Sequence, residues 1–394
     1  MNVVLTPESE REAANMIRAA CAGGVRLDIQ GRGTRKGLGR PRSAERGLSS
    51  AALAGIVFYA PAEMTICAKA GTTIEAIEAA IAEHQHILPF EPMRPQALWG
   101  AAGEPTIGGM VATNHSGPRR VSAGAVRDGA LGLRLINGLG EAIHCGGRVM
   151  KNVTGLDLTK LNCAAHGTLG FLTEATIKLV PKPEIEQTLA IPRVDEQRAI
   201  DAMIRALGSP FGVSAAAWLP AGMGADVSRA LLQIEGFEGS VVYRAGRLTD
   251  LLAEFGEIQP LIGAASSALW PAIRDAKFIA DPRDRAVWRV SLAPSEAQAF
   301  VGRLARTALA HYLDWGGGLV WLATDESEVA AAEVRRALVP SGGHATLMRA
   351  RDELRKSVAV FQPLSELELR LSRGLKASFD PGGVLNFGRM YPGV

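Results

Sequence analysis

The stretch Val25-Arg26-Leu27-Asp28-Ile29-Gln30-Gly31-Arg32-Gly33-Thr34-Arg35-Lys36-Gly37-Leu38-Gly39 decides how this chain is read. Val25, Leu27 and Ile29 alternate with polar residues, which predicts a strand with one buried face. The strand runs directly into a glycine-rich loop. Successive amides of such a loop form a concave nest for an anion, and Arg32, Arg35 and Lys36 place positive charge beside it. A nicotinamide-dinucleotide fingerprint would need a helix straight after the loop, so that its N-terminus faces the pyrophosphate. Here the loop continues into Gly39-Arg40-Pro41-Arg42-Ser43, which cannot begin a periodic helix. The segment therefore points away from that fold. On these residues alone it is either a phosphate-binding loop or a solvated turn between strands.

A second glycine-bearing segment narrows the choice. Pro105-Thr106-Ile107-Gly108-Gly109-Met110-Val111-Ala112-Thr113-Asn114 lacks the pattern of a buried helix or strand, and its adjacent glycines suggest backbone pressed against a ligand. Ser116-Gly117-Pro118-Arg119-Arg120 and Gly124-Ala125-Val126-Arg127-Asp128 continue the theme. Met150-Lys151-Asn152-Val153-Thr154-Gly155 then leads towards the turn Gly167-Thr168-Leu169-Gly170.

Around these segments the periodicity predicts a helix over residues 7–22, strands over 55–59 and 64–70, and a helix from Ile74 to about His84. A capping box over Thr72 to Glu75 starts that helix, and Leu88-Pro89-Phe90-Glu91-Pro92 stops it. A strand-like run covers 132–137. Pro181-Lys182-Pro183 reads as a boundary. Beyond it, strand-like runs at 230–234, 286–292 and 318–322 precede helical stretches at 241–255, 295–310 and 326–338. Such repeated units predict an α+β domain with helices on one face of a sheet.

The 394 residues allow two or three domains. With 47% hydrophobic and 21% charged residues and a net charge of +3, wholesale disorder and a nucleic-acid partner are both disfavoured. No segment approaches the ~18 apolar residues of a membrane span, and the N-terminus lacks the basic region and apolar core of a signal peptide. The expected location is the cytoplasm, with attachment at the inner membrane through a complex left open. Cys21, Cys67, Cys145 and Cys163 are scattered without a Cys-x-x-Cys pair, so the chain by itself is not expected to hold an iron–sulfur cluster or structural zinc.

The ordered motifs Gly31-Arg32-Gly33-Thr34, Ala70-Gly71, Leu88-Pro89, Thr106-Ile107-Gly108-Gly109 and Gly167-Thr168-Leu169-Gly170 resemble the FAD-binding domain of the vanillyl-alcohol oxidase/p-cresol methylhydroxylase (PCMH-type) superfamily. The ending Asp380-Pro381…Asn386-Phe387-Gly388 resembles its lactate/glycolate branch. Within that branch, Gly117-Pro118-Arg119-Arg120, residues 149–155, Asp314-Trp315-Gly316-Gly317, Gly342-Gly343-His344-Ala345-Thr346 and Phe387-Gly388-Arg389-Met390-Tyr391 resemble the E-type flavoprotein subunits of bacterial glycolate oxidases. The resemblance implies an α+β protein with a PCMH-type domain over residues 1–183, a smaller α+β cap over 184–350, and a C-terminal segment over 351–394 that returns to the flavin domain.

It also implies FAD as cofactor. Gly31, Arg32, Gly33 and Thr34 would hold the pyrophosphate. Thr106, Gly108, Gly109, Asn114, Gly117 and Gly124 would line the flavin, Gly170 and Leu172 the adenosine half, with Pro89 and Asn386 from the remaining motifs. Relatives often attach the flavin covalently through a histidine or cysteine; the first loop offers Thr34 and Arg35, so dissociable FAD is expected. The implied reaction is oxidation of glycolate to glyoxylate, with a catalytic FAD subunit and an iron–sulfur subunit as partners.

The resemblance stops at the His-x-Gly-Asp-Gly-Asn-x-His segment that catalytic relatives carry, which is missing here. No catalytic residue and no metal ligand is assigned from the sequence. His115 and His344 are candidate bases, and Arg119, Arg120 and Arg389 candidate partners of a substrate carboxylate. Lys151 is read either as a flavin neighbour or as a surface ion pair. His84-x-His86 sits at a helix end and reads as solvated or capping rather than as a metal site, and Trp270, Trp288, Trp315 and Trp321 read as core or interface. Two further functional readings stay open: a self-sufficient FAD dehydrogenase of another small 2-hydroxy acid, and an assembly subunit that holds FAD without turning it over.

Overall fold

The computed structural model describes residues 3–41, 44–148 and 155–394. The alternation that opens the sequence forms the strand Leu27–Gln30, which pairs in parallel with Arg46–Ser49, itself parallel to Val4–Leu5. Leu27 also bridges Leu385, so the C-terminal tail extends this small sheet. The helix Glu10–Ala22, capped by the Ser9 hydroxyl, buries Ala13, Ile17 and Ala20 against it. Burying Ile17 alone contributes roughly 1.5–3 kcal/mol.

A five-stranded antiparallel sheet follows, in the order Ile56–Ala60, Thr65–Lys69, Phe171–Lys178, Ala130–Ile136 and Ala142–Gly146. The helix Ile74–Ala82 packs on it through Ile74, Ile77 and Ile81. Its cap departs from the expected box. Thr73, one residue later, accepts the Ala76 amide, while the Thr72 hydroxyl bonds the backbone of Gly55 and Lys69. The glycine segment is also corrected, because Ile107–Thr113 is a short helix capped by Thr106. Its two glycines hid the helical period, and one of them is needed for packing. A Cβ on Gly108 would lie 2.8 Å from Ala70 Cβ and 2.9 Å from its carbonyl oxygen.

From Ile185 to Arg349 the chain builds an eight-stranded antiparallel sheet. One face is covered by the helices Glu196–Leu207, Glu238–Leu252, Ala297–Arg303 and Glu328–Leu338. The other packs on Leu38, Met93 and Leu98 of the N-terminal half, with Leu269, Trp270, Ile273 and Ile279 between. Trp270, Trp288, Trp315 and Trp321 are all buried. The helix expected over 295–310 ends at Arg303, and Ala308–Asp314 is a strand instead. Val213–Leu219 is buried at every position because both faces are covered. Alanine-rich as it is, it carried no strand signal.

The helix Glu366–Phe379 brings the chain back to the first half. Lys376 donates to Asp380, to Thr168 O and to Leu385 O, each at 2.7 Å, and both members of this ion pair are buried. Asp380 in turn accepts the amides of Val384 and Leu385. Removing one member strands the other in a low-dielectric site. Lys376→Met should therefore lower unfolding free energy by about 3–5 kcal/mol, measured by urea titration; a change below about 1 kcal/mol would show the tail to be held by other contacts.

Candidate functional site

One cavity opens between the small parallel sheet, the helix Ile107–Thr113 and the turn at residues 166–172, enclosing about 710 Å³ including its mouth. Of the residues expected to hold the cofactor, Gly31, Arg32, Gly33, Thr34, Thr106, Gly108, Gly109, Gly170 and Leu172 line it. The structure adds Gln30, Arg35, Lys36, Ser50, Thr113, His166 and Arg389 to the lining. Gly33 turns the loop with φ of +72°, a conformation in which side chains are strained. The amides of Arg32, Gly33, Thr34 and Arg35 donate to no protein acceptor among the described residues, and Gln30 Oε1 is buried without a partner.

Positive charge surrounds these unspent donors. Arg35 is buried, with Nη2 donating to Met93 O at 2.9 Å, and its burial next to Arg94 lowers its pKa to about 10. Arg389 reaches in from the tail, donating to Arg35 O and Leu38 O, with Asp28 at 3.9 Å. Arg32 and Lys36 complete the lining. A nest of free amides among guanidinium and ammonium groups suits a pyrophosphate, which accepts hydrogen bonds and carries negative charge. Among the described residues no group of His, Cys, Asp or Glu could hold a metal ion.

The other expected residues lie elsewhere. Asn386 is buried behind the loop, accepting the Ile29 amide at 2.7 Å and donating to His166 O at 2.7 Å. Asn114 ends the helix Ile107–Thr113 in the left-handed region, and its side chain accepts the Arg127 amide. Gly117 offers its carbonyl to the Trp315 indole at 3.0 Å, and Gly124 ends the following short helix with its φ at +77°. Pro89 borders a separate outer groove with Arg119 and Lys182. Lys151 lies outside the described residues. His84 is exposed beside Tyr59, and His86 is half-buried with its Nδ1 2.7 Å from the Tyr59 hydroxyl.

A second polar cluster sits where the eight-stranded sheet faces the N-terminal half. Arg120 and Arg289 lie over the Trp315 ring at 4.8 and 4.7 Å. His115 is buried and stacked on Trp99, and burial together with the Arg289 charge pushes its pKa well below the usual range, leaving it neutral. Arg119 is paired with Glu235 at 2.7 Å, which occupies that candidate carboxylate ligand. His344 is exposed on the last strand, paired with Ser291. Arg289 carried no sequence signal: it stands in an apolar strand with no motif around it.

The fold and the cavity define an FAD-binding flavoprotein of the PCMH-type superfamily. Residues 1–146 match the family described as FAD binding domain. The chain is 34% identical over 367 residues to the glycolate oxidase subunit GlcE of Escherichia coli, covering 93% of this chain and 92% of that protein. It therefore belongs to the family of that subunit, a family of FAD-binding oxidoreductases. The glycolate oxidase subunit GlcD of Bacillus subtilis is 46% identical over 84 residues, 21% of this chain and 18% of its own. In fold, the chain is similar to a 4-ethylphenol oxidase from Gulosibacter chungangensis, with a TM-score of 0.74, 15% identity, and coverage of 99% of this chain and 89% of the oxidase.

Two outcomes test the site. Gly33→Val should weaken FAD binding at least tenfold, read by flavin fluorescence on titration, while costing apo stability only about 1–2 kcal/mol; retained affinity would detach the loop from the cofactor. The second concerns Asp314, whose carboxyl burial raises from 3.8 to about 8. Between those values the folded state keeps a proton that the unfolded chain releases, so stability falls as pH rises. Asp314→Asn should remove a slope on the order of 1 kcal/mol per pH unit between about pH 5 and 7, seen by comparing urea midpoints with the parent.

Proposed function

We propose that this chain is the FAD-binding subunit of a glycolate oxidase complex that oxidises glycolate to glyoxylate. The observation that carries this reading is a full-length relative of that description, at 34% identity, together with a cavity whose free amides and cations suit a pyrophosphate. Bound FAD supplies a two-electron acceptor for oxidation of the alcohol carbon. The chain's own residues bind and orient it. The amides from Arg32 to Arg35 and the charges of Arg32, Lys36 and Arg389 hold the pyrophosphate, with Gly31 and Thr34 shaping the loop. Thr106, Gly108 and Gly109 lie along the flavin half, and Gly170 and Leu172 along the adenosine half.

Asn386 is a positioning residue, fixing the strand before the loop to the turn at His166. Asn114, Gly117 and Gly124 shape the end of the site nearest the second sheet, and Pro89 braces it from outside. The first loop offers no histidine or cysteine for attachment, so the FAD is dissociable. In this reading residues 1–183 form the flavin domain, 184–350 the cap, and 351–394 the segment that closes it.

Electrons leave the chain for an iron–sulfur partner, and a second flavoprotein subunit completes the complex. Burial holds the thiols of Cys67, Cys145 and Cys163 above their usual pKa, Cys163 at about 12, so they stay protonated and make poor cluster ligands. Among the described residues no helix is long and apolar enough to cross a membrane. That suits a cytoplasmic complex or one peripheral to the inner membrane.

The test is anaerobic flavin reduction by glycolate, in the isolated chain and in the assembled complex. Glycolate should bleach the flavin of the complex and leave the isolated chain oxidised. Turnover of glycolate by a monomeric chain alone would overturn the dependence on partners. Full activity in a complex whose Gly33→Val subunit carries no FAD would leave only an assembly role.

A further inference from the structure

Four arginines come together where the eight-stranded sheet faces the flavin half, and they differ in their partners. Arg119 pairs with Glu235 and Arg274 with Asp275, at 2.7 and 2.8 Å. Among the described residues Arg120 and Arg289 have no ion pair, and Arg289 Nη2 is sealed from solvent without a hydrogen bond. Asp128, whose charge Arg120 also feels, turns its carboxylate to the Ala125 amide at 2.8 Å. Asp314, whose charge Arg289 also feels, makes no ion pair with it and spends an oxygen on the Trp315 amide at 2.7 Å.

Both unpaired guanidiniums lie within 5 Å of the centre of the Trp315 ring, whose position is set by the indole bond to Gly117 O. His115 stands nearby, 7% exposed, its Nδ1 also unpartnered and its charge suppressed by burial and then by Arg289. Both guanidiniums are half-buried, and they share one ring with no carboxylate in ion-pair contact and with the sealed Arg289 Nη2 unspent, which makes the place a site for an anion. Arg289 stands in the strand Ala286–Ser291, between Trp321 and Thr346 on the neighbouring strands, so the sheet holds it rigidly.

We propose that Arg289 and Arg120, with Trp315 and His115, form the receptor for the carboxylate of a small 2-hydroxy acid. A planar guanidinium binds carboxylate through two parallel N–H bonds, and the neutral imidazole adds a donor without a second charge penalty. The assignment rests on the proposed function for the identity of the acid, while the anion site itself stands on the unpaired cations.

The test uses oxalate, an inert dicarboxylate, titrated into the FAD-loaded complex and read by flavin absorbance and tryptophan emission. The dissociation constant should rise at least tenfold in Arg289→Met and in Arg120→Met, and the emission change should vanish in Trp315→Phe. Arg289→Met should unfold close to the parent's midpoint or above it when no anion is present, because it removes the sealed, unpartnered Nη2. Oxalate should raise the midpoint of the parent and leave that of Arg289→Met unmoved. Arg120 lies on a short, partly exposed helix, so its variant reports on binding where a folding defect in Arg289→Met would obscure it. Unchanged oxalate affinity in both arginine variants overturns the proposal, as does a parent that binds no oxalate. Flavin reduction by glycolate with undiminished oxalate affinity in the variants would sink this site and spare the proposed function. Oxalate binding that depends on Arg289, with no flavin reduction by glycolate in the complex, would do the reverse.

Discussion

The carboxamide of Asn386 holds together the two walls of the cofactor cavity. Its oxygen takes the Ile29 amide at the end of the first strand, and its nitrogen donates to His166 O in the opposite turn. Everything that presents the glycine loop depends on that strand ending at the right height. The tail that delivers Asn386 is in turn fixed by the Lys376–Asp380 pair, which reaches Thr168 and Leu385 with the same ammonium group. A buried ion pair is a poor source of net stability but a strict source of position, since any displacement leaves a charge unsatisfied. Residues more than 350 positions apart therefore share one small sheet and one site.

The electrostatics of the cavity follow from this arrangement. Arg35 is buried behind the loop and Arg389 arrives from the tail, and both bond loop or neighbouring carbonyls, so their charge is fixed in place. With carbonyl groups turned to the arginines, the loop leaves its amides for the ligand. This is a preorganised anion site, and the ordering entropy of the loop has been spent in folding rather than at binding.

The second sheet contributes a different kind of surface. Its helix-covered face is an apolar core. Its other face mixes tryptophans with arginines, because it must pack against the flavin half and also keep charge in the space between them. The Arg119–Glu235 pair joins the two halves and Arg274 pairs with the adjacent Asp275, whereas Arg120 and Arg289 have no ion pair among the described residues and Arg289 keeps an unspent donor. The distinction is invisible in composition, since all four are the same residue type.

Read alone, the sequence determined the glycine loop, the strand before it and the absence of a dinucleotide-type helix after it, while the cofactor class was implied by a resemblance of ordered motifs. Those features are local: period-two alternation, glycine placement and nearby charge need no distant partner to be meaningful. The helix Ile107–Thr113 escaped it because two adjacent glycines, of which Gly108 packs on Ala70, dilute the helical period. The strand Val213–Leu219 escaped because burial on both faces removes alternation, and alanine favours a helix. Only the tertiary structure decided that Asn386 stands behind the loop rather than in the cavity, and that Arg289 meets Arg120 over Trp315. Both depend on long-range pairing, in which the partner's position is set by packing and by the satisfaction of buried polar groups.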